Sequence, residues 1–302
     1  MAGLKELRGR IATIKSTEKI TSAMKMVAAS RLRRAQEVLN RNEPYRDTVY
    51  NTISRVMYVL QGEAKVNDTV VQLPSLCVPK ATANKYLLIV LSSDKGLCGS
   101  YNSAIIKGAI TRIEQLKSMG KDVRIIALGY RGYNALRKRY ADLIIRHDES
   151  VVNQGVQYEE ALNLIDEIVP LFENEQIDVC EVVYSKFKSA LSREIVSEQV
   201  LPFDLSKINT GVDDMEGVAL YDVEPNYTEM LNMLTPMAFK EFVFEIMINS
   251  QASEQGSRMT SMDNATRNAG DMIAKLTLRY NRLRQGAITT ELTEIIAGAE
   301  AI

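Results

Sequence analysis

Apolar positions at the start of the chain recur with the spacing of a helix packed against a partner. Leu4, Leu7, Ile11 and Ile14 stand at 3-4-3 intervals, and Ile20, Met24 and Val27 resume a similar stripe. No proline precedes Pro44, and the segment is rich in Ala, Lys, Arg, Glu, Met and Leu, which favour helix. The pattern predicts one long helix over the first forty residues, a kink or restart at Pro44, and a continuation from Asp47 to about Leu60. The other end mirrors this, with no proline among the 66 residues from Met237 to Ile302. There Met259, Met262, Thr266, Ala269, Ile273, Leu276, Tyr280 and Leu283 hold strict 3-4 spacing, and the stripe then steps over to Ile288, Leu292, Ile295, Ala299 and Ile302. Such a period predicts a left-handed supercoil seam, with the step as a stutter. Gly256, Gly270, Gly286 and Gly298 would each weaken an isolated helix by about 1 kcal/mol. This helix therefore needs a partner, and the N-terminal helix is the obvious one.

Between these helices the period changes. Tyr86–Leu91, Val123–Leu128, Leu143–Ile145 and Asp178–Tyr184 are short apolar runs of the kind buried in parallel sheets, with Ser192–Leu201 as a last strand. They alternate with helical stretches near 103–118, 130–140 and 158–173, which predicts an α/β domain. The fold class expected is therefore α/β: an antiparallel coiled coil of the long terminal helices plus a central Rossmann-like domain. Its boundaries are a helix over 1–60, a linker over 61–84, the α/β domain over 85–203, a polar loop or insertion over 204–226, and the final helix over 227–302. A compact enzyme rarely winds its longest helices together from both termini; the layout is that of a lever with a knob on its side.

Composition narrows the chemistry. A run of about 18 apolar residues, as a membrane span needs, does not occur. The opening MAGLKELRGR has no apolar core behind its charges, so the simplest expectation is a cytoplasmic bacterial protein. Cys77, Cys98 and Cys180 are far apart, and His147 is the only histidine, so neither a disulfide framework, a zinc site nor a His-based triad is encoded. His147 ends an apolar run and reads as structural. The net charge of −1 conceals an asymmetry. Residues 1–46 hold eleven Lys/Arg against four Asp/Glu (+7), and residues 148–231 hold four against nineteen (−15). The two regions are suited to different neighbours, although two solvated faces would also account for them.

One turn is a chemical candidate. Ser92 to Asn102 (SSDKGLCGSYN) follows a strand-like run and precedes a helical one, where α/β folds bind phosphates. It matches neither G-x-G-x-x-G nor the P-loop, and Lys95 lies before the glycines, so it reads first as a structural turn, with a ligand site as the alternative. Cys98 within it reads as a buried small residue. Basic clusters at Lys25, Arg31, Arg33 and Arg34 and at Arg279, Arg282 and Arg284 lack the interleaved aromatics of single-strand binders and suit acidic protein surfaces better.

Both terminal regions and one central turn carry a resemblance. Lys19 to Ala35 (KITSAMKMVAASRLRRA) resembles the N-terminal helix signature of the γ-subunit family of F-type ATP synthases. So do Ala252–Met259 (ASEQGSRM), Met262–Ala269 (MDNATRNA) and Tyr280–Ala299 (YNRLRQGAITTELTEIIAGA), and so does the Gly96-Leu97-Cys98-Gly99 turn. The similarity runs in the same order through nearly the whole chain. It implies a rotating shaft, one copy per complex, whose coiled coil fills the axis of a ring of three α and three β subunits. The α/β domain would meet the ε subunit and the membrane c-ring. Nucleotide and magnesium would be held on the β subunits, leaving this chain with no catalytic residue, cofactor or metal of its own. It would couple proton flow to ATP synthesis, regulate ATPase activity, bind no nucleic acid, and lie peripherally on the cytoplasmic side of the cell membrane without inserting.

Carried over by motif, Arg284, Gln285, Thr289 and Glu291 make the polar contact with β-subunit loops. Met24 and Lys25 face a β lever, and Tyr221 and Glu224 contact the c-ring. The chain departs from the family pattern in three places. Ser100 stands where a second glycine is usual, Gly286 follows Arg284-Gln285 where Ala is frequent, and residues 205–218 look like an insertion. The closely spaced cysteine pair of chloroplast γ subunits is missing. Two rival readings follow from the residues alone: an α/β enzyme holding a phosphorylated ligand at 92–102, and a coiled-coil adaptor for a nucleic-acid partner.

Overall fold

The computed structural model describes residues 2–80, 82–149, 157–208 and 223–300. In chain order the elements are α1 (Ala2–Asn67), β1 (Lys85–Leu91), α2 (Tyr101–Ser118), β2 (Asp122–Leu128), α3 (Tyr130–Tyr140), β3 (Ile144–Asp148), α4 (Tyr158–Glu173), β4 (Val179–Phe187), β5 (Arg193–Leu201) and α5 (Tyr227–Glu300). Two compact units result, one of residues 31–257 and one of residues 1–30 with 258–302. The fold class is the expected one: long terminal helices and an α/β sheet domain. Of the segment read as an insertion, Leu205–Ile208 forms a 3-10 turn, and the remainder lies outside the described residues.

The larger unit is built on a five-stranded sheet in the order β3-β2-β1-β4-β5. Helical crossovers make the first four strands parallel, and the short connection from Phe187 to Arg193 turns β5 back antiparallel to β4. The central strand β1 is fully covered from Leu87 to Val90, which explains its unbroken apolar run. One face of the sheet (Leu88, Val90, Val123, Ile125, Val183) packs on α2 and α3 through Ile105, Ala109, Ile113, Leu116, Leu136 and Tyr140. A Cβ at Gly108 would stand 2.8 Å from Ile195, so this glycine sets how closely α2 lies on β5. The run 143–145 is not buried as expected. It feeds edge strand β3, where Ile145 is 48% exposed and His147 stacks on Tyr133 at 3.9 Å.

Helix α1 neither stops nor restarts at Pro44. Leu32 and Ala35 before it, and Val49, Ile53 and Val56 after it, are all buried in the same unit, and that burial outweighs the lost backbone hydrogen bond. In this unit Asn42 bonds the buried carboxylate of Glu241, and Arg46 pairs with Glu245 at 3.4 Å.

The smaller unit is an antiparallel helix pair. Going up α1, Glu18, Thr21 and Lys25 meet Gly270, Thr266 and Asp263, going down α5. The covered positions of α1 in this unit include Leu4, Leu7, Ile11, Ile14, Glu18, Thr21, Lys25 and Ala28, an unbroken 3-4 series, with Ser22, Met24 and Ala29 half-buried beside it. This corrects the expected stripe. Ile20 and Val27 lie off the seam, 57% and 54% exposed, because the heptad phase continues through polar residues that find partners across the pair. On α5 the stripe from Met259 to Tyr280 is covered as expected, and Leu283 is 45% exposed.

Asp178, buried at the start of β4, accepts hydrogen bonds from the backbone N–H groups of Asn84 and Lys85, both at 2.8 Å. Burial pushes its carboxyl up, but those N–H groups and the Lys80 ammonium hold it below its ordinary value. The stabilisation is therefore present above the ordinary carboxylate pKa and is lost as pH falls through the lowered one. Asp178→Ala should cost about 2 kcal/mol at neutral pH by urea unfolding, and the gap from the native chain should narrow below about pH 4.

Candidate functional site

The turn between β1 and α2 is knitted into its own chain. The N–H groups that open α3 are the natural anion site of the sheet's carboxyl end. Here Tyr130 N–H donates to Asp94 Oδ1 (2.9 Å), Arg131 N–H to Ser93 O (3.1 Å) and Gly132 N–H to Ser92 Oγ (2.8 Å). Burial raises the Asp94 carboxyl above its usual range against the pull of the Tyr130 N–H. Asn102 closes the loop, its side chain accepting from Ser93 N–H (3.0 Å) and donating to Ser93 Oγ (2.7 Å). Positive φ occurs at Leu97 and Gly99, and at Gly129, where a Cβ would stand 2.2 Å from Ser92 O. Glycine is therefore required at Gly129 by backbone approach. Cys98 is buried.

Strand order reverses between β1 and β4, the place where such sheets receive ligands. What reaches the Tyr101 side of this crevice is the chain's own α5: the Tyr101 hydroxyl lies 2.8 Å from Ser250 Oγ and donates to Ser250 O at 3.2 Å. The Ser92, Ser93 and Asn102 side chains and Asp94 Oδ1 are thus committed inside the protein, while the buried Asp94 Oδ2 has no hydrogen-bond partner among the described residues; the balance favours the structural reading of residues 92–102 over the ligand site.

The residues carried over by resemblance lie on two helices and one connection. Met24 and Lys25 are half-buried on α1. Lys25 Nζ sits 2.5 Å from Asp263 Oδ1, and Asp263 also pairs with Arg267 one turn further along α5. The hydrogen bond from Lys25 is the leading reason the Asp263 carboxyl is held low, with burial opposing it. Lys25 therefore serves the seam, a use the sequence pattern did not reveal. Arg284, Gln285, Thr289 and Glu291 are all exposed on α5. Glu224 stands in the connection before α5, and Tyr221 lies outside the described residues.

Two sets of apolar residues stand bare beside these positions. One is Ile20, Met26 and Val27 on the outer side of α1. The other is Ile288, Leu292, Ile295 and Ile296 on α5, 51–69% exposed. Counting one for one from the Glu18–Gly270 contact places Ala2 level with Gly286, so among the described residues α5 beyond Gly286 has no α1 residue opposite it. The continued stripe expected to pack on the N-terminal helix is corrected accordingly: Ile288, Leu292 and Ile295 are exposed. Among the described residues no helix is long and apolar enough to cross a membrane.

If the seam runs through Ala28 and not Val27, the two neighbours respond differently. Ala28→Leu should cost about 2 kcal/mol through overpacking, whereas Val27→Ser should stay within about 0.5 kcal/mol. Urea unfolding of both variants checks this.

A family model described as ATP synthase matches residues 3–302. The ATP synthase gamma chain of Paracoccus denitrificans is 41% identical over 302 residues, covering all of both chains. That of Erythrobacter litoralis is 42% identical over 304 residues, again covering both fully. Among solved structures, the central stalk/c-ring of Tetrahymena thermophila mitochondrial ATP synthase contains a chain 26% identical, covering 82% of this chain and 99% of that one, with a TM-score of 0.57. A chain of Euglena gracilis mitochondrial ATP synthase, 16% identical, shares the fold with a TM-score of 0.64 over 99% of this chain and 94% of that one. A family model matched from residue 3 to 302, and relatives 41–42% identical over their full length, establish that this chain belongs to the ATP synthase gamma-chain family.

Proposed function

We propose that this chain is the central shaft of a bacterial F-type ATP synthase, coupling proton flow through the membrane sector to ATP synthesis on the β subunits and regulating ATP hydrolysis. It has no active site of its own. The observation that carries the reading is the last stretch of α5. Ile288, Leu292, Ile295 and Ile296 are exposed on a helix that has outrun its partner, immediately after the exposed polar residues Arg284 and Gln285. A lone helix with such a face is incomplete in water and calls for a surrounding apolar sleeve. A ring of three α and three β subunits supplies one, and Arg284, Gln285, Thr289 and Glu291 then meet β-subunit loops. Met24 presents to a β lever beside the exposed Ile20, Met26 and Val27, with Lys25 tied to Asp263 behind it.

An asymmetric shaft inside a threefold ring touches each β subunit differently. Differential contact energy between states is what such a partner contributes to nucleotide affinity. At its other end the chain would meet the ε subunit and the c-ring, the latter through Tyr221 and Glu224. On this reading it lies peripherally on the cytoplasmic side of the membrane, in keeping with the lack, among the described residues, of a helix long and apolar enough to cross it.

Arg284→Ala with Gln285→Ala should lower ATP-driven proton pumping or assembly at least about tenfold, the loss expected when charged hydrogen bonds of about 1.5–3 kcal/mol are removed. Nucleotide binding on β, measured by tryptophan or fluorescent-nucleotide titration, should be unchanged. Normal pumping by the double variant would sink the site assignment.

A further inference from the structure

Helix α5 is buried on every side from Ser250 to Ser257, yet the stretch reads Ser-Gln-Ala-Ser-Glu-Gln-Gly-Ser. A helix enclosed all round is ordinarily apolar. Here the serines are spent on a directed set of hydrogen bonds. Ser250, Ser253 and Ser257 stand at i, i+3 and i+7, on one face of the helix. Each meets a different element of the α/β unit. The Tyr101 hydroxyl, from α2, is 2.8 Å from Ser250 Oγ. Ser185 Oγ, from β4, is 2.6 Å from Ser253 Oγ. Arg193, from β5, donates to Ser257 Oγ at 2.7 Å and, through its other nitrogen, to Ser100 Oγ at 2.7 Å. Gly256 lies between these contacts, where a Cβ would be 3.4 Å from both Ala190 Cα and the Phe187 ring.

Apolar packing is non-directional, so a smooth greasy collar would let a helix turn about its axis or slide at little cost. Hydrogen bonds behave differently. A slip of one residue moves each serine by about 1.5 Å and swings it about 100° round the axis. All three bonds would break together, taking the serine partners from the buried Tyr101 and Ser185 hydroxyls and one of two from the half-buried Arg193. The bonds also come from three elements, so no single side chain can swing to follow the helix. We infer that Ser250, Ser253 and Ser257, with Tyr101, Ser185 and Arg193, form a polar key that fixes the axial rotation and register of α5 in the α/β unit. Torque carried by this helix then reaches the sheet without slip. The six are positioning residues, and the inference rests on the reading of the chain as a turning shaft.

The test uses the assembled enzyme in inverted membrane vesicles, with ATP hydrolysis and ATP-driven acidification followed side by side. In Tyr101→Phe/Ser185→Ala/Ser257→Ala, protons pumped per ATP hydrolysed should fall by about twofold or more while hydrolysis continues, since each lost bond favours the slipped state severalfold. A native ratio in assembled triple variant would overturn the key. A merely structural role would reduce the amount of complex and leave the ratio alone. The second variant, Ser185→Cys/Ser253→Cys, should keep full hydrolysis and pumping after oxidation to a disulfide, because the two positions never move apart. Inactivation by oxidant, reversed by thiol reductant, would also overturn it. Unaltered vesicles that fail to pump, or that lack the α–β ring, would instead count against the shaft reading.

Discussion

The Lys25–Asp263 ion pair and the Thr21–Thr266 hydrogen bond sit inside the α1–α5 seam, and the arrangement of the smaller unit depends on them. An apolar heptad seam can shift by seven residues and still bury Leu, Ile and Met against one another. Polar groups at seam positions cannot, because a shift leaves a carboxylate and a hydroxyl facing apolar neighbours. With the register set, Gly270 lies level with Glu18, and α5 outruns α1 beyond Gly286. The bare residues Ile288, Leu292, Ile295 and Ile296 are a direct consequence of that register.

The larger unit treats the same helix in another way. Around Ser250 to Ser257 the α/β elements enclose α5 and meet it with hydroxyls and a guanidinium. The turn at 92–102, which looked most like a place for chemistry, is part of that enclosure. Its Ser92, Ser93 and Asp94 fill the N-terminal amides of α3, and Tyr101 reaches Ser250. A sheet whose carboxyl end would ordinarily receive a ligand uses it to grip a helix.

These two environments account for the unusual sequence of α5, apolar at 3-4 spacing in one stretch and polar but buried in another. Side chains that set register, resist slip or face a surrounding ring each demand a specific residue type.

Much of this was legible in the residues. The strands at 86–91, 123–128 and 178–184, the helices at 130–140 and 158–173, and the long terminal helices follow from local periodicity, which needs no tertiary information. The seam through Glu18, Thr21 and Lys25 was not read, because hydrophobicity pointed to Ile20 and Val27 instead. Strict 3-4 counting from Leu4 would have found it, but only the facing Asp263 and Thr266 make polar seam positions tolerable. Continuity through Pro44 likewise depends on a core shared by both halves of α1, formed by residues remote in sequence. Local pattern thus established which elements form and which family they resemble. Which polar groups are buried, what satisfies them, and where α5 runs past its partner depend on contacts between distant residues, whose energies the chain acquires only when folded.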